Sequence, residues 1–161
     1  MRTALFPGTF DPITEGHLDI IRRARKIFDR VIVAVAQAHH KEALFSMEER
    51  KELVEASLAG MKGVEVVEFQ GLLVDLADRL NVDALVRGLR FVSDFEYEFQ
   101  LALMNRQLNR RLETVFMMPS ARYSFLNSTI VREVAQLGGD ISTLVPPVVA
   151  ERLKARFSRT S

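Results

Sequence analysis

The sequence predicts an α/β fold, an open sheet of five parallel strands with helices on both faces. Five short apolar segments alternate with segments whose apolar residues recur at helical spacing. The segment Val31 to Ala36 is continuously apolar and largely β-branched, which is typical of a strand covered on both faces. Strands that alternate with helices form repeated βαβ units with right-handed crossovers, and these build an open parallel sheet.

The first half of the chain contributes two of the five strands. Thr3 to Phe6 is predicted as the first strand, and a helix is predicted from Leu18 to Phe28 because its apolar residues recur every three or four positions. The second strand is Val31 to Ala36. Ser46 then begins a helix, since Ser46-Met47-Glu48-Glu49 has the pattern of a capping box.

The second half continues the alternation up to a final helix. Gly138-Gly139 is expected to close the helix before it, because glycine accepts the left-handed backbone conformation that often ends helices. The predicted elements are, in order, a strand at Val64 to Phe69, a helix from Leu72 to Leu80, a strand at Ala84 to Val86, a helix from Asp94 to Asn109, a strand at Thr114 to Met118, a helix from Ser128 to Leu137, and a helix starting near Pro146.

Length and composition are those of a single globular domain spanning residues 1–161. Apolar residues make up 48% of the chain and charged residues 27%, with a net charge of +1 that indicates no particular partner. The absence of cysteine excludes disulfides, thiol catalysis and the usual zinc sites, and it fits a reducing compartment. With only a four-residue apolar run before Pro7, and no run near the roughly 20 residues that span a bilayer, we expect a cytoplasmic protein.

Polar side chains that suit phosphate follow four of the five predicted strands. Because the carboxyl ends of parallel strands share one edge of the sheet, where ligands of open α/β folds bind, we expect these residues to converge. The site is predicted to hold anions rather than to form a covalent intermediate, since no G-x-S-x-G pattern or cysteine accompanies it. The residues are Thr9 and His17; His39, His40 and Lys41; Arg87, Gly88 and Arg90; and Ser124, Asn127, Ser128 and Thr129.

His17 is unusual because it stands at a helix start. If Thr14 is the N-cap, His17 is the third helical residue, where the helix dipole disfavours a cation. One interpretation is a neutral histidine that makes one local hydrogen bond. The other is that a phosphate shares the site, bound by the first-turn amides, by the imidazole and beside Gly16, which has no side chain to block the approach.

The other segments also allow simpler interpretations. Arg87 and Arg90 could be solvated surface charges or two forks that grip one polyanion, and Asn127 to Thr129 could do no more than cap a helix. Lys41 could be a solvated loop residue. His39 and His40 lack the spaced partners that define a metal site, so no protein-held metal is predicted.

The long fourth helix opens with acids and carries a large apolar surface. Asp94, Glu96 and Glu98 suit its positive N-terminal end, and Glu98 could also reach a ligand held above the helix start. Its apolar residues are expected in the core or in a subunit interface; they are Phe95, Phe99, Leu101, Met104 and Leu108. No G-x-G-x-x-G or G-x-x-x-x-G-K-[ST] motif is present, so the phosphates must be held in another way.

Three stretches together resemble a known family. FPGTFDPITEGH contains a T-x-G-H motif from Thr14 to His17, RGLRFVSDFEYEFQLALMNRQL begins at Arg87, and FMMPSARYSFLNSTIVREV begins at Phe116. With these motifs the chain resembles the pantetheine-phosphate adenylyltransferase family of the T-x-G-H nucleotidyltransferase superfamily, from about Leu5 to Pro146. The resemblance implies a Rossmann-like sheet, which agrees with the fold class predicted from the residues.

The resemblance also implies a reaction and a set of site residues. ATP and 4'-phosphopantetheine would give dephospho-coenzyme A and pyrophosphate, with Mg2+ arriving with ATP, in a homohexamer that binds neither nucleic acid nor membrane. Phosphopantetheine would contact Thr9, Lys41, Leu73 and Arg87. ATP would contact Thr9, Phe10, His17, Gly88, Leu89, Arg90, Glu98, Tyr123, Ser124, Phe125, Leu126, Asn127, Ser128 and Thr129. Of these, His17, Lys41, Arg90 and Thr9 would be catalytic, with His17 stabilising the transition state.

Two positions depart from the family pattern. Asn127 replaces a residue that is often a hydroxyl, so Ser128 and Thr129 are expected to keep the phosphate contacts. Glu42 follows Lys41 where a basic or small residue can occur, and it either tunes Lys41 or points away.

Two other functions stay open from the sequence. One is a superfamily enzyme with another acceptor, such as nicotinate mononucleotide or a cytidylyl acceptor. The other is a non-catalytic nucleotide-binding or nucleic-acid-binding module, suggested by Arg22-Arg23 and Arg110-Arg111. The pI of about 8.1 and the absence of a nucleic-acid motif speak against the second.

Overall fold

Five parallel strands form one sheet in the spatial order β3-β2-β1-β4-β5 in a computed structural model that describes residues 1–38 and 42–158, the side chains of Val92 and Ser93 excepted. The strands are β1 Thr3–Gly8, β2 Arg30–Ala36, β3 Val64–Phe69, β4 Ala84–Gly88 and β5 Glu113–Met117. The helices are α1 Glu15–Ile27, α2 Met47–Ser57, α3 Leu73–Arg79, α4 Val92–Leu108, α5 Ser128–Gln136 and α6 Pro147–Ser158, with a 3-10 turn at Ala121–Tyr123.

The sheet is covered on both faces because alternate strand residues point to opposite sides. In β1, Ala4 and Phe6 belong to one buried cluster and Leu5 to the other. The first cluster includes buried residues of α1, α2, α5 and α6, whereas the second includes residues of α3. The α/β fold class predicted from the sequence is confirmed.

The strand order reverses between β1 and β4. The chain adds β2 and β3 on one side of β1 and then returns to place β4 and β5 on the other side. Crossover connections diverge at such a reversal and leave a crevice at the carboxyl ends of the strands. The segments that follow β1 and β4 therefore face each other at this edge of the sheet.

Several elements extend beyond their predicted bounds. β1 continues to Gly8 because β2 runs beside it and pairs as far as Gly8 with Val35. β4 similarly continues to Gly88, which pairs with Met117. α1 begins at Glu15 because Thr14 caps it, three residues before its first buried apolar side chain, Leu18.

α4 is weakly attached to its own chain. Among residues 94–108 only Asn105 is buried, while Phe95, Phe99, Leu103, Met104 and Leu108 are exposed. These apolar side chains are therefore not core residues within one chain. Within the described residues, no helix has the length and hydropathy needed to cross a membrane.

Candidate active site

A cleft of about 220 Å³ opens at the carboxyl ends of β1 and β4, where the strand order reverses. Its walls come from both strand ends, from the start of α1, from α4, and from the segment between β5 and α5. The lining residues are Phe6, Pro7, Gly8, Thr14, Gly16, His17, Ile20, Arg87, Gly88, Arg90, Glu98, Pro119, Tyr123, Leu126 and Asn127.

The start of α1 fixes the ring of His17. Thr14 is the N-cap, and its hydroxyl oxygen accepts a hydrogen bond from the His17 amide at 3.3 Å. In return, the Thr14 amide donates to Nδ1 of His17 at 3.0 Å. Because Nδ1 accepts a hydrogen bond from this amide, the neutral ring carries its own proton on Nε2. The histidine is thus both a helix cap and a donor held ready at Nε2.

The surroundings of His17 favour the neutral ring. Its pKa falls to about 4, mainly because burial removes the imidazolium from water and secondarily because the Arg90 cation is near. As the pH falls, the unfolded chain, in which the histidine pKa is about 6.5, takes up this proton at a higher pH than the folded chain does. The folded state therefore loses stability relative to the unfolded state as pH falls from about 6.5 to about 4.

We expect His17 to stay neutral and protonated on Nε2 between about pH 5 and 8 in the ligand-free protein. Imidazole ¹⁵N chemical shifts measure both the charge and the tautomer, and His17→Gln identifies the His17 signals by their loss. A midpoint near 6.5 for His17, or a proton on Nδ1, would contradict this description of the site.

Phe10 supports the same ring from below. It has a positive φ of 51° and is 2% exposed, and its ring packs edge-on against His17 with the centroids 4.9 Å apart. Gly8 makes room for this ring, since a Cβ at Gly8 would lie 2.9 Å from the Phe10 ring carbon Cε2. The side chain of Phe10 is therefore part of the support, and only its backbone could contact a ligand.

Arg87 and Glu98 form a forked ion pair inside the cleft. Nε and Nη2 of Arg87 each donate to a carboxylate oxygen of Glu98 at 2.8 Å, and Nη1 donates to the Pro7 carbonyl at 3.4 Å. Their side chains are 24% and 11% exposed, so the pair is shielded but still reached by solvent. The family resemblance assigned Arg87 to phosphopantetheine and Glu98 to ATP. It did not indicate that the two side chains bind each other.

Arg90 is held from two sides. Its Nε donates to Asp94 Oδ2 at 3.2 Å, and its Nη1 donates to the Leu126 carbonyl at 2.9 Å. Asp94, in the first turn of α4, also accepts from the backbone amide of Arg90. Within the described residues Nη2 of Arg90 has no hydrogen-bond partner. A guanidinium group that is fixed in position and keeps unused N–H donors is suited to bind an anionic ligand.

The start of α5 combines capping with a tie to the first loop. Asn127 is the N-cap, and its side-chain oxygen accepts from the Ile130 amide at 2.8 Å. The hydroxyl of Ser128 donates to the Pro12 carbonyl at 2.7 Å, and that of Thr129 accepts from Arg132. Asn127, which stands where the family often has a hydroxyl residue, therefore caps α5 with its amide oxygen. It also lines the cleft.

The cleft brings together eight of the residues named from the sequence. They are His17, Arg87, Gly88, Arg90, Glu98, Tyr123, Leu126 and Asn127. Lys41, His39 and His40 lie outside the described residues. The remaining named residues are not in the lining: Thr9, Phe10, Leu73, Leu89, Ser124, Phe125, Ser128 and Thr129.

Thr9 and Leu73 follow strands whose carboxyl ends lie at the same edge of the sheet, and neither residue lines the cleft. Thr9 is exposed directly after β1, and Leu73 is half-buried at the first turn of α3, after β3. Glu42 is exposed.

Of the other lining residues, Thr14 and Gly16 belong to the T-x-G-H motif, and five were not among the site residues named from the sequence: Phe6, Pro7, Gly8, Ile20 and Pro119. Ile20 lies one helical turn after His17, a spacing that could have indicated it. Pro119 is placed by Asp19, which accepts from the Ser120 amide at 2.8 Å, a contact over 101 residues that no local pattern shows.

The arrangement is suited to phosphate rather than to a protein-held metal. Two guanidinium groups and the Nε2 donor of a neutral imidazole line a small cleft, with one carboxylate paired to an arginine. Within the described residues no group of three or more histidine, cysteine or acidic side chains is placed to hold a metal ion.

Comparison with known proteins places this geometry among the nucleotidyltransferases. Residues 5–134 match the cytidylyltransferase-like family. A phosphopantetheine adenylyltransferase of Moorella thermoacetica is 58% identical over 157 residues, which are 98% of this chain and 98% of that protein. Those of Desulfosudis oleivorans and Caldanaerobacter subterraneus are 51% identical (98% of this chain, 94% of that protein) and 50% identical (99% and 100%).

A solved structure shares the fold. It is from Vibrio parahaemolyticus, of a protein provisionally named a nicotinate-nucleotide adenylyltransferase, with a TM-score of 0.75 and 22% identity over 100% of this chain and 98% of that one. At this identity the likeness supports the fold alone.

Proposed function

The chain belongs to the cytidylyltransferase-like family, and we propose that it transfers the adenylyl group of ATP to 4'-phosphopantetheine, which gives dephospho-coenzyme A and pyrophosphate. The observation that supports phosphopantetheine as the acceptor is the 50–58% identity to phosphopantetheine adenylyltransferases over nearly the whole chain. This identity agrees with the family assigned from the T-x-G-H, RGLR and DFEYE stretches. The enzyme is a nucleotidyltransferase of coenzyme A biosynthesis.

We propose direct in-line transfer. An oxygen of the phosphopantetheine phosphate attacks the α-phosphorus of ATP, a new P–O bond forms, the bond to the bridging oxygen breaks, and pyrophosphate leaves with that electron pair. A phosphate monoester has its second pKa near 6, so it is mostly a dianion at neutral pH and needs no general base. The chain's task is to hold two polyanions together and to stabilise added negative charge.

His17 and Arg90 are proposed to act on ATP. The Thr14 amide fixes the imidazole so that the Nε2 proton is available to a phosphate oxygen, and Asp94 with the Leu126 carbonyl fixes the guanidinium. Donors that are fixed before the reaction stabilise transition-state charge without reorganising. Ser128 and Thr129 would add contacts at the start of α5, as expected from the sequence.

Arg87, Thr9 and Lys41 are proposed to bind the incoming phosphate. Arg87 can do so by sharing its guanidinium between Glu98 and the phosphate, since each Nη nitrogen carries two protons and only one contact is made by each. The cleft of about 220 Å³ is smaller than sites that enclose a whole cofactor, which commonly start at about 300 Å³. It suits the reacting phosphates, with the adenosine and pantetheine groups extending outward.

Mg2+ is proposed to reach the site with ATP. Magnesium commonly binds through substrate phosphates and one or two carboxylates, and the described residues contain no cluster of three or more histidine, cysteine or acidic side chains that would hold the ion without a substrate. The ion would neutralise part of the triphosphate charge. The proposal includes a cytoplasmic location, which the lack of cysteine in all 161 residues fits.

The acceptor is tested by pyrophosphate release. We expect release from ATP with phosphopantetheine, and little with nicotinate mononucleotide or with the phosphate acceptors of cytidylyltransferases supplied with CTP. Faster turnover with one of these other pairs would replace the proposed acceptor by that one.

We also propose a homohexamer, with α4 in the subunit contacts. Among the described side chains of α4, six large apolar or aromatic ones are exposed, and a surface of this kind commonly marks a protein interface. A homo-oligomer is expected to cover its apolar surfaces by symmetric contacts.

The double variant Leu103→Glu, Met104→Glu is expected to lower the particle mass, because burying carboxylates in an apolar interface is costly. Light scattering measures this mass against the 18.3 kDa of one chain. The matched control is Leu137→Glu, which alters a side chain that is 87% exposed on another helix end and should leave the mass unchanged. A folded double variant with the wild-type mass would exclude this part of α4 from the interface.

A further inference from the structure

Arg50 is a buried arginine on the inward face of α2. It is 2% exposed and lies one turn before the buried residues Leu53 and Val54. Burial lowers the pKa of its guanidinium, and the nearby Asp11 charge opposes that shift. An apolar side chain would fill this helix position without the cost of removing a cation from water. The question is what the buried guanidinium does there.

Arg50 joins three backbone segments at the edge of the sheet that carries the cleft. Its Nη1 donates to the carbonyls of Thr9 and Ala36, both at 2.7 Å, and its Nε donates to the Phe45 carbonyl at 3.2 Å. Thr9 follows β1, Ala36 ends β2, and Phe45 precedes α2. One planar guanidinium thus connects the backbone after β1 to the end of β2 and to the residue before the N-cap of α2.

Asp11 joins the same two loops through the opposite kind of contact. Its carboxylate is buried and accepts from the amides of Leu44, at 2.8 Å, and Phe45, at 3.0 Å. Arg50 donates hydrogen bonds to carbonyl oxygens, whereas Asp11 accepts them from amides. The segment after β1 is therefore joined to the residues before α2 by both kinds of contact. Within the described residues neither Arg50 nor Asp11 makes a hydrogen bond to His17 or Arg90.

We propose that Arg50 and Asp11 are positioning residues for the phosphopantetheine half of the site. They hold the Thr9 backbone at a fixed distance from Ala36 at the end of β2 and from Phe45 before α2. The inference rests on the proposed function, which assigns Thr9 to the incoming phosphate. A residue that binds a reacting phosphate works well only when its position is fixed, and small misplacements cost large factors in rate.

The test measures KM for each substrate and kcat in Arg50→Lys, Arg50→Met and Asp11→Asn. Arg50→Lys keeps the charge but loses the fork, so we expect KM for phosphopantetheine to rise about 10-fold while KM for ATP stays within about 2-fold. In Arg50→Met, kcat/KM for phosphopantetheine should fall about 100-fold. Asp11→Asn should shift the same KM as Arg50→Lys, and these two variants carry the test if Arg50→Met does not fold.

Arg25→Lys is the matched control. Arg25 also donates to two backbone carbonyls, those of Lys62 at 2.7 Å and Phe28 at 2.6 Å, but before β2 and β3, at the opposite edge of the sheet. Arg25→Lys should lower the melting temperature and leave both KM values unchanged. The Arg50 variants would behave in the same way if the role of Arg50 were purely structural. Folded Arg50 variants with unchanged kinetics, or with equal losses for both substrates, would overturn the inference. A wild type inactive with ATP and phosphopantetheine would instead contradict the proposed function, and this inference with it.

Discussion

Replacement of His17 by alanine is expected to lower kcat by about 100-fold or more with little change in fold. The reason is the loss of one prearranged donor to the transition state, which typically costs 100- to 1000-fold. The Thr14 amide orients the ring and sets its tautomer, and the low pKa of about 4 keeps it neutral. Steady-state pyrophosphate release at saturating substrates measures the effect.

His17 also closes the capping box of α1, so stability must be separated from turnover. His17→Gln provides this control, because glutamine at the third helical position can also accept from the N-cap amide. We expect His17→Gln to melt near the wild-type temperature and still to lose at least about 10-fold in kcat, since its amide is not fixed where the imidazole Nε2 lies. Turnover within a few-fold of wild type in a folded His17→Ala protein would remove His17 from the mechanism.

Replacement of Arg90 by alanine is expected to have the second largest effect, a loss of about 100-fold in kcat/KM for ATP. Asp94 and the Leu126 carbonyl occupy Nε and Nη1, which aims the rest of the guanidinium at the cleft. Arg90→Lys should lose about 10-fold, because an ammonium group cannot bind both holders and a phosphate in the same geometry. Initial rates over a range of ATP concentrations measure both losses.

Arg30→Ala is the control for this series. Arg30 is also paired with a carboxylate, Glu65, but it lies at the start of β2, at the other edge of the sheet. Its replacement should leave kcat/KM for ATP unchanged. The assignment of Arg90 to the triphosphate would fail if Arg90→Ala and Arg30→Ala had the same kinetics.

Local patterns predicted most of the fold because each pattern reports on a short segment. The apolar run Val31 to Ala36 indicated a strand buried on both faces, and β2 has this environment. Ser46 to Glu49 predicted a cap that is present with both hydrogen bonds. Thr14 as N-cap and His17 as the third helical residue are likewise confirmed.

The contacts that shape the site were hidden because they join distant segments. The Arg87 to Glu98 pair joins the end of β4 to the second turn of α4, and the contact from Arg50 to Thr9 spans 41 residues. One signal was available for Arg50: an arginine three and four positions before Leu53 and Val54 lies on the apolar face of its helix. Read in this way, the sequence would have indicated a buried, hydrogen-bonded guanidinium.

The two interpretations of His17 turned out to be compatible. The ring makes the local hydrogen bond that a capping histidine would make, and it also lines the cleft. The local bond uses Nδ1 and so leaves Nε2 to a ligand. Its structural role therefore prepares the catalytic role that we propose.

The central claim is tested most directly by following the α-phosphorus. The folded protein is incubated with phosphopantetheine, Mg2+ and ATP labelled at the α-phosphorus, and the products are separated. The account predicts that the label appears in dephospho-coenzyme A, that unlabelled pyrophosphate forms in an equal amount, and that no label is bound to the protein. Absence of pyrophosphate, or label bound covalently to the protein, would contradict it.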